Sequence, residues 1–211
     1  HYTERRARTG AEAVVSAYGK LLRDSFRKSK FLDMEEMYLR CSEEVLRVTG
    51  FGGEKFGVSR ERMAEVILKN HSQAPVYEDV VSVLKKLGER YRLILSSDAS
   101  PLMAEGVLER LKKEGITFEQ VFLSDELHIC KGRPDGAFFD TVVRTLGVRP
   151  EEILHIGDSP SDVSGAAAAG VHTCLISRDY TPYKGKVQPD YRIESLEEVL
   201  SLIHISEPTR H

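Results

Sequence analysis

The stretch Leu154-His155-Ile156-Gly157-Asp158-Ser159-Pro160-Ser161-Asp162 decides how this chain is read. A short apolar run over 153–156 breaks at a glycine, and an acid follows on each side of a Ser-Pro helix start. An apolar run that turns into Ser-Pro is a buried strand feeding a helix, because proline at the first helical position gives up only an N–H that would have no partner there. The helix continues as Gly165-Ala166-Ala167-Ala168-Ala169-Gly170, small residues that let its backbone pack close behind the loop. Asp158 and Asp162 stand four residues apart. That is about one helical turn, a spacing that suits a hard cation such as magnesium with water completing its shell.

The same alternation recurs outward from this stretch. Runs rich in β-branched residues or leucine lie at Arg92 to Ser96, Gln120 to Leu123, Ile153 to Ile156, Val171 to Ile176 and, more weakly, Tyr191 to Ile193. Helices between them start near Glu78, Ser100-Pro101, Asp135 and Pro160, and stop at Gly88, Gly115, Gly147 and Gly170. Apolar strands alternating with helices predict an α/β fold, a doubly wound, Rossmann-like parallel sheet covered on both faces. Ahead of it, Ala11 to Asn70 keeps a helical period through Val14, Val15, Tyr18, Leu21 and Leu22, then Met34, Met37, Tyr38, Cys41, Val45 and Leu46. Asp33 with Glu36 makes a capping-box start, Ser59 an N-cap, and Gly50 to Gly53 a break. The predicted organisation is a small helical domain over 1–72, an α/β domain over 73–199 and a tail over 200–211.

Ligands of such sheets collect at the carboxyl ends of the strands. Three of those ends carry suitable groups: Ser96-Ser97-Asp98, then Ser124-Asp125-Glu126 leading to Lys131-Gly132-Arg133-Pro134-Asp135, then the opening stretch itself. A hydroxyl beside backbone amides at a helix start holds phosphoryl oxygens, and a lysine adds the compensating charge. Each piece also has an ordinary reading. Ser97 could cap a helix, Gly157-Asp158-Ser159 could be a turn, Lys131 or Arg133 a surface charge, and Asp162 a helix cap. His155, inside a strand, reads as a packed core histidine. Three strand ends that deliver phosphate-handling groups together outweigh the separate readings.

Composition narrows the classes. Thirty basic side chains face 33 acidic ones, with no long run of one sign and no arginines interleaved with aromatics, which argues against a nucleic-acid partner. No apolar stretch approaches the roughly twenty residues that span a bilayer. Glu4, Arg5, Arg6 and Arg8 stand where a signal peptide would turn apolar, and read as a solvated helix face. Cys41, Cys130 and Cys174 are far apart and lack the close pairs that chelate zinc, as expected of small buried hydrophobes in a reducing cytoplasm.

On these residues, 75–170 resemble the core of the haloacid dehalogenase superfamily, whose motifs run strand-Ser/Thr, then Lys before Pro-Asp, then Gly-Asp with a second Asp four or five residues on. The resemblance implies that Ser97 holds the transferring phosphoryl group. Asp98 stands where Asn is common. Lys131 is the counter-charge by the spacing from Ser124, with Arg133 in reserve by the spacing from Pro134-Asp135. Asp158 is the magnesium ligand, with Asp162 as second ligand or orienting group. It further implies a magnesium-dependent phosphatase acting on a small phosphorylated metabolite through an aspartyl-phosphate, with the helical segment as a cap that shapes substrate choice. Phosphosugar mutases, phosphonate hydrolases and metal-free haloacid dehalogenases share the scaffold; the Asp158 and Asp162 pair argues against the last. A non-catalytic binding or regulatory member is the rival of another class. The family's Asp-x-Asp motif does not occur in these 211 residues. The expectation is therefore a truncation ahead of His1 that removes a central strand, leaving the chain by itself inactive. Residues 200–210 resemble a translated sequencing adapter and carry no part of the functional reading.

Overall fold

The computed structural model describes residues 2–28, 31–51, 57–178 and 182–206. The chain divides into two compact units, His1–Ala74 with Ala99–Val107, and Pro75–Asp98 with Leu108–His211.

The first unit is built on helices α1 (Tyr2–Lys28), α2 (Met34–Thr49) and α3 (Arg60–Ser72). Helix α1 starts well before Ala11, since the charged N-terminal residues simply extend its polar face, with Arg8 and Glu12 paired at 3.1 Å one turn apart. Asp33 Oδ1 accepts the Glu36 N–H at 2.8 Å, capping α2. Glu36 does not return the bond: its carboxylate takes Arg40 at 2.6 Å instead. Ser59 caps α3 by accepting the Arg62 N–H at 3.1 Å. The buried face of α2 is the apolar one read from the period, Met34, Met37, Tyr38, Cys41, Val45 and Leu46, and α3 buries Ala64 and Leu68. Gly50 ends α2 at φ 70°, a left-handed conformation that glycine adopts freely. Gly52 and Gly53 lie outside the described residues.

The second unit carries α4 (Glu78–Gly88), β1 (Ile94–Ser97), β2 (Gln120–Leu123), α6 (Ser124–Leu127), α7 (Ala137–Leu146), β3 (Leu154–Gly157), α8 (Pro160–Ala168), β4 (His172–Ile176), β5 (Tyr191–Ile193) and α9 (Glu198–Ser206); α5 (Pro101–Lys113) is divided between the units. Helix α7 begins two residues later than Asp135, because Gly136 takes φ 70° and Asp135 Oδ1 accepts the Ala137 N–H at 3.2 Å. The single turn α6 was not foreseen. Leu200 and Leu202 pack against a core cluster as part of α9, while 207–211 lie outside the described residues.

All strand pairs are parallel, as β1–β2 and as β3–β4–β5. Apolar side chains on alternate positions pack into two clusters. Phe122, Phe138, Phe139, Val142, Ala166 and Val171 form one, with Ile94 against it. Val83, Leu87, Cys174, Ile193 and Val199 form the other, with Leu93, Leu154 and Ile156. Consecutive residues Leu93 and Ile94 thus serve opposite faces, as the two-residue period of a strand requires. Among the described residues β1 and β3 share no ladder. Every residue of these two strands is only half-buried, whereas β4, paired on both edges, buries Thr173, Cys174 and Leu175. No described helix is long and apolar enough to cross a membrane.

Asp79, in the first turn of α4, closes this unit. Its Oδ1 accepts from Arg178 at 2.9 Å and its Oδ2 from the Leu196 N–H at 2.8 Å, with the Arg178 guanidinium 4.1 Å above the Tyr77 ring. Burial acts to raise this carboxyl, and the hydrogen bonds from Arg178 and the Leu196 N–H, with the charge of Arg178, more than reverse it. Asp79→Ala should cost about 2–3 kcal/mol by orphaning both donors, a fall of roughly 5–10 °C in a thermal melt. An unchanged melting temperature would show that the clasp contributes nothing.

Candidate functional site

Lys131 is held at three points. Its backbone N–H donates to Asp98 Oδ1 at 2.8 Å, fixing the loop between α6 and α7 to the end of β1. Its carbonyl oxygen lies where a side chain on Gly165 of α8 would have to sit, so only glycine lets that helix pass so close. Its ammonium donates to Asp162 Oδ1 at 2.5 Å, with side-chain exposures of 12% and 4%.

Asp162 reaches Lys131 because the loop folds back on itself. A Cβ on Gly157 would collide with the Asp162 carboxylate, so the glycine of Gly-Asp is what makes room for the second acid. Ser159 and Asp162 form a reciprocal capping box at the start of α8, in which the Ser159 N–H and Oγ donate to Asp162 Oδ2 at 3.1 and 2.6 Å. His155 Nε2 lies 2.9 Å from Oδ1. Burial alone pushes the Asp162 carboxyl up, but the His155 hydrogen bond and the Lys131 charge overturn that and hold it far below the usual carboxylate range. Asp98 ends on the other side: burial raises its carboxyl, and the Lys131 amide and charge do not offset it. The Cys130 thiol beside them is pushed up to about 12 by burial and by Asp98 and Asp125, which leaves it an inert hydrophobe.

Of the residues singled out from the sequence, Asp98, Lys131 and Asp162 are joined by direct contacts. Ser97 and Asp158 stand at the carboxyl ends of β1 and β3. Arg133 is turned to Asp135, at 2.5 and 3.0 Å, and has no part in this cluster. Asp158 is exposed and makes no hydrogen bond among the described residues, whereas both oxygens of Asp162 are taken by protein donors. No group of three His, Cys, Asp or Glu that could hold a metal occurs among the described residues. One open carboxylate fits a hard cation such as magnesium that draws its other ligands from water and phosphate rather than from a protein cage. The sequence reading missed that His155 faces the site. Its only signal was a polar residue in an otherwise apolar strand, seven positions before Asp162.

The family model for haloacid dehalogenase-like hydrolases matches residues 5–170. Glyceraldehyde 3-phosphate phosphatase of Methanopyrus kandleri is 33% identical over 134 residues, 60% of this chain and 56% of that protein. A Clostridium perfringens protein named as a candidate PpaX pyrophosphatase is 33% identical over 195 residues, 91% of this chain and 80% of its own length. The chain thus spans little more than half of the first relative and four-fifths of the second. Among solved structures, the L-2-haloacid dehalogenase of Xanthobacter autotrophicus superposes with a TM-score of 0.74 at 17% identity, covering 98% of this chain and 91% of the other.

Asp162→Asn leaves the Lys131 ammonium buried without a counter-charge and should cost about 3 kcal/mol. The wild-type carboxyl lies below its unfolded value of about 3.9, so its stabilisation is complete above about pH 5 and is lost as pH falls below that value. The melting temperatures of wild type and Asp162→Asn should therefore differ by a constant amount from pH 5 to 7 and converge below pH 4. A gap that stays constant down to pH 3 contradicts the assigned ionisation.

Proposed function

The chain belongs to the haloacid dehalogenase-like hydrolase family, and from that membership we propose a magnesium-dependent phosphohydrolase that acts on a small phosphorylated metabolite. The observation that carries this reading is the Lys131 ammonium, held by Asp162 at the carboxyl edge of a parallel sheet. A fixed cation at that edge, with Ser97 at the carboxyl end of β1, suits the three charged oxygens of a phosphoryl group. Two sequence relatives with phosphatase names, one for a triose phosphate and one for pyrophosphate, support the same substrate class.

In this reading Ser97 donates to a phosphoryl oxygen, Lys131 neutralises the group, and Asp98 and Asp162 position Lys131. Asp158 would hold the magnesium, which supplies charge neutralisation to the transferring phosphoryl. The nucleophile is proposed to be an aspartate of an Asp-x-Asp strand, which these 211 residues do not contain. Transfer to it would cleave the P–O ester bond, and water would then release phosphate from the aspartyl-phosphate. The open edges of β1 and β3, with Ser97 and Asp158 at their ends, are where that strand is proposed to lie. The helical residues 1–72 are proposed as the substrate-selecting cap, and a reducing cytoplasm as the setting.

The test is hydrolysis of 4-nitrophenyl phosphate by these residues joined to an Asp-x-Asp strand. Turnover should require magnesium and disappear in Asp158→Asn with the melting temperature kept. Lys131→Ala should lose several orders of magnitude in rate and Arg133→Ala little. Chloride release from 2-chloropropionate without any phosphatase activity would replace this reading with a dehalogenase. Magnesium-independent turnover in Asp158→Asn would overturn the metal assignment.

A further inference from the structure

His155 sits in the middle of β3, its side chain 11% exposed and its ring edge-on to Phe139 of α7, with centroids 4.7 Å apart. Its Nε2 is 2.9 Å from Asp162 Oδ1, the oxygen that also receives the Lys131 ammonium. An ionised carboxylate only accepts, so Nε2 carries the proton and donates. In the neutral ring Nδ1 then accepts, and Ser96 Oγ of β1 lies 3.4 Å from it. A bond of that length is weak, so the ring takes its orientation mainly from Asp162 and Phe139.

Packing alone does not account for this residue. An apolar side chain would fill a strand interior without the cost of desolvating an imidazole. What the imidazole adds is a second, rigid donor on Oδ1. Ser159 anchors Oδ2. With His155 present the carboxylate plane is fixed at both oxygens, and the ammonium that Oδ1 receives is fixed with it. Without His155, Oδ1 is held only through the flexible four-carbon stem of the lysine.

We propose that His155 is a positioning residue: by fixing Asp162 Oδ1 it fixes the Lys131 ammonium at the point where the phosphoryl group is neutralised. This rests on the phosphohydrolase reading above. It makes the histidine the polar link from β3 to the lysine loop, with no contact of its own to substrate.

The experiment compares His155→Phe and His155→Asn, which lose the donor toward Asp162, with His155→Gln, whose amide can restore it, in the protein assayed above. Removing a supporting contact of this kind costs about 10–100-fold in activity. The Phe and Asn variants should lose that much kcat on 4-nitrophenyl phosphate, and Gln should recover most of it. In a Lys131→Ala background His155→Phe should cost less than about twofold, because the residue acts only through the lysine. Crystal structures provide a readout independent of turnover: Lys131 Nζ should leave Asp162 Oδ1 in the Phe and Asn variants and stay in Gln. Should one loss variant fail to fold, the other carries the comparison. Full activity in both loss variants, an equal loss with and without Lys131, or an unmoved ammonium overturns the proposal. If Lys131→Ala itself hydrolyses normally, it is the phosphohydrolase reading that fails, and the crystal structures still decide whether His155 holds the lysine.

Discussion

The contact between Lys131 Nζ and Asp162 Oδ1 is the constraint to which the surrounding structure is fitted. A buried ammonium is tolerated only with a counter-charge whose remaining oxygen is also satisfied. That requirement explains why Gly157 cannot carry a side chain, why Ser159 caps α8 through the same acid, and why α8 presents Gly165 to the lysine backbone. Asp98 completes the hold from β1. Two segments far apart in sequence, Asp98 after β1 and residues 157–165, thus converge on Lys131, the first and Gly165 at its backbone and Asp162 at its ammonium.

The sheet around this contact is divided. Among the described residues β1 is paired only with β2 and β3 only with β4, so the two strands that lead to Ser97 and Asp158 each have an unpaired edge. A side-chain contact, Ser96 Oγ to His155 Nδ1, connects β1 with β3. Two half-buried strands joined in this way are held less firmly than β4, which is paired on both edges. The groups of the site are therefore anchored through loops and helix α8 more than through the sheet beneath them.

Strand positions and the parallel, doubly wound arrangement were legible because apolar runs of strand length alternate with glycine-terminated helices. The first turn of α7 was not, since Gly136 between Asp135 and Ala137 takes a left-handed conformation that moves the start. The choice between Lys131 and Arg133 could not be made from spacing alone, as the two lie two residues apart and both can face an anion. The two are placed differently: Arg133 is 38% exposed and paired with its near neighbour Asp135, while Lys131 turns inward to Asp162. His155 was read only as packing. Its ring is packed, but the acid it meets depends on the chain reversal between β3 and α8, which periodicity does not encode. Leu200 and Leu202 pack against a core cluster, a contact that composition alone does not reveal.

The central proposal is that Lys131, held in place by Asp162, is a phosphate-binding cation. Calorimetric titration of the protein with inorganic phosphate in the presence of magnesium tests it most directly. The account predicts saturable binding at one site per chain, lost in Lys131→Ala and retained in Arg133→Ala. Equal affinity in wild type and Lys131→Ala would contradict it.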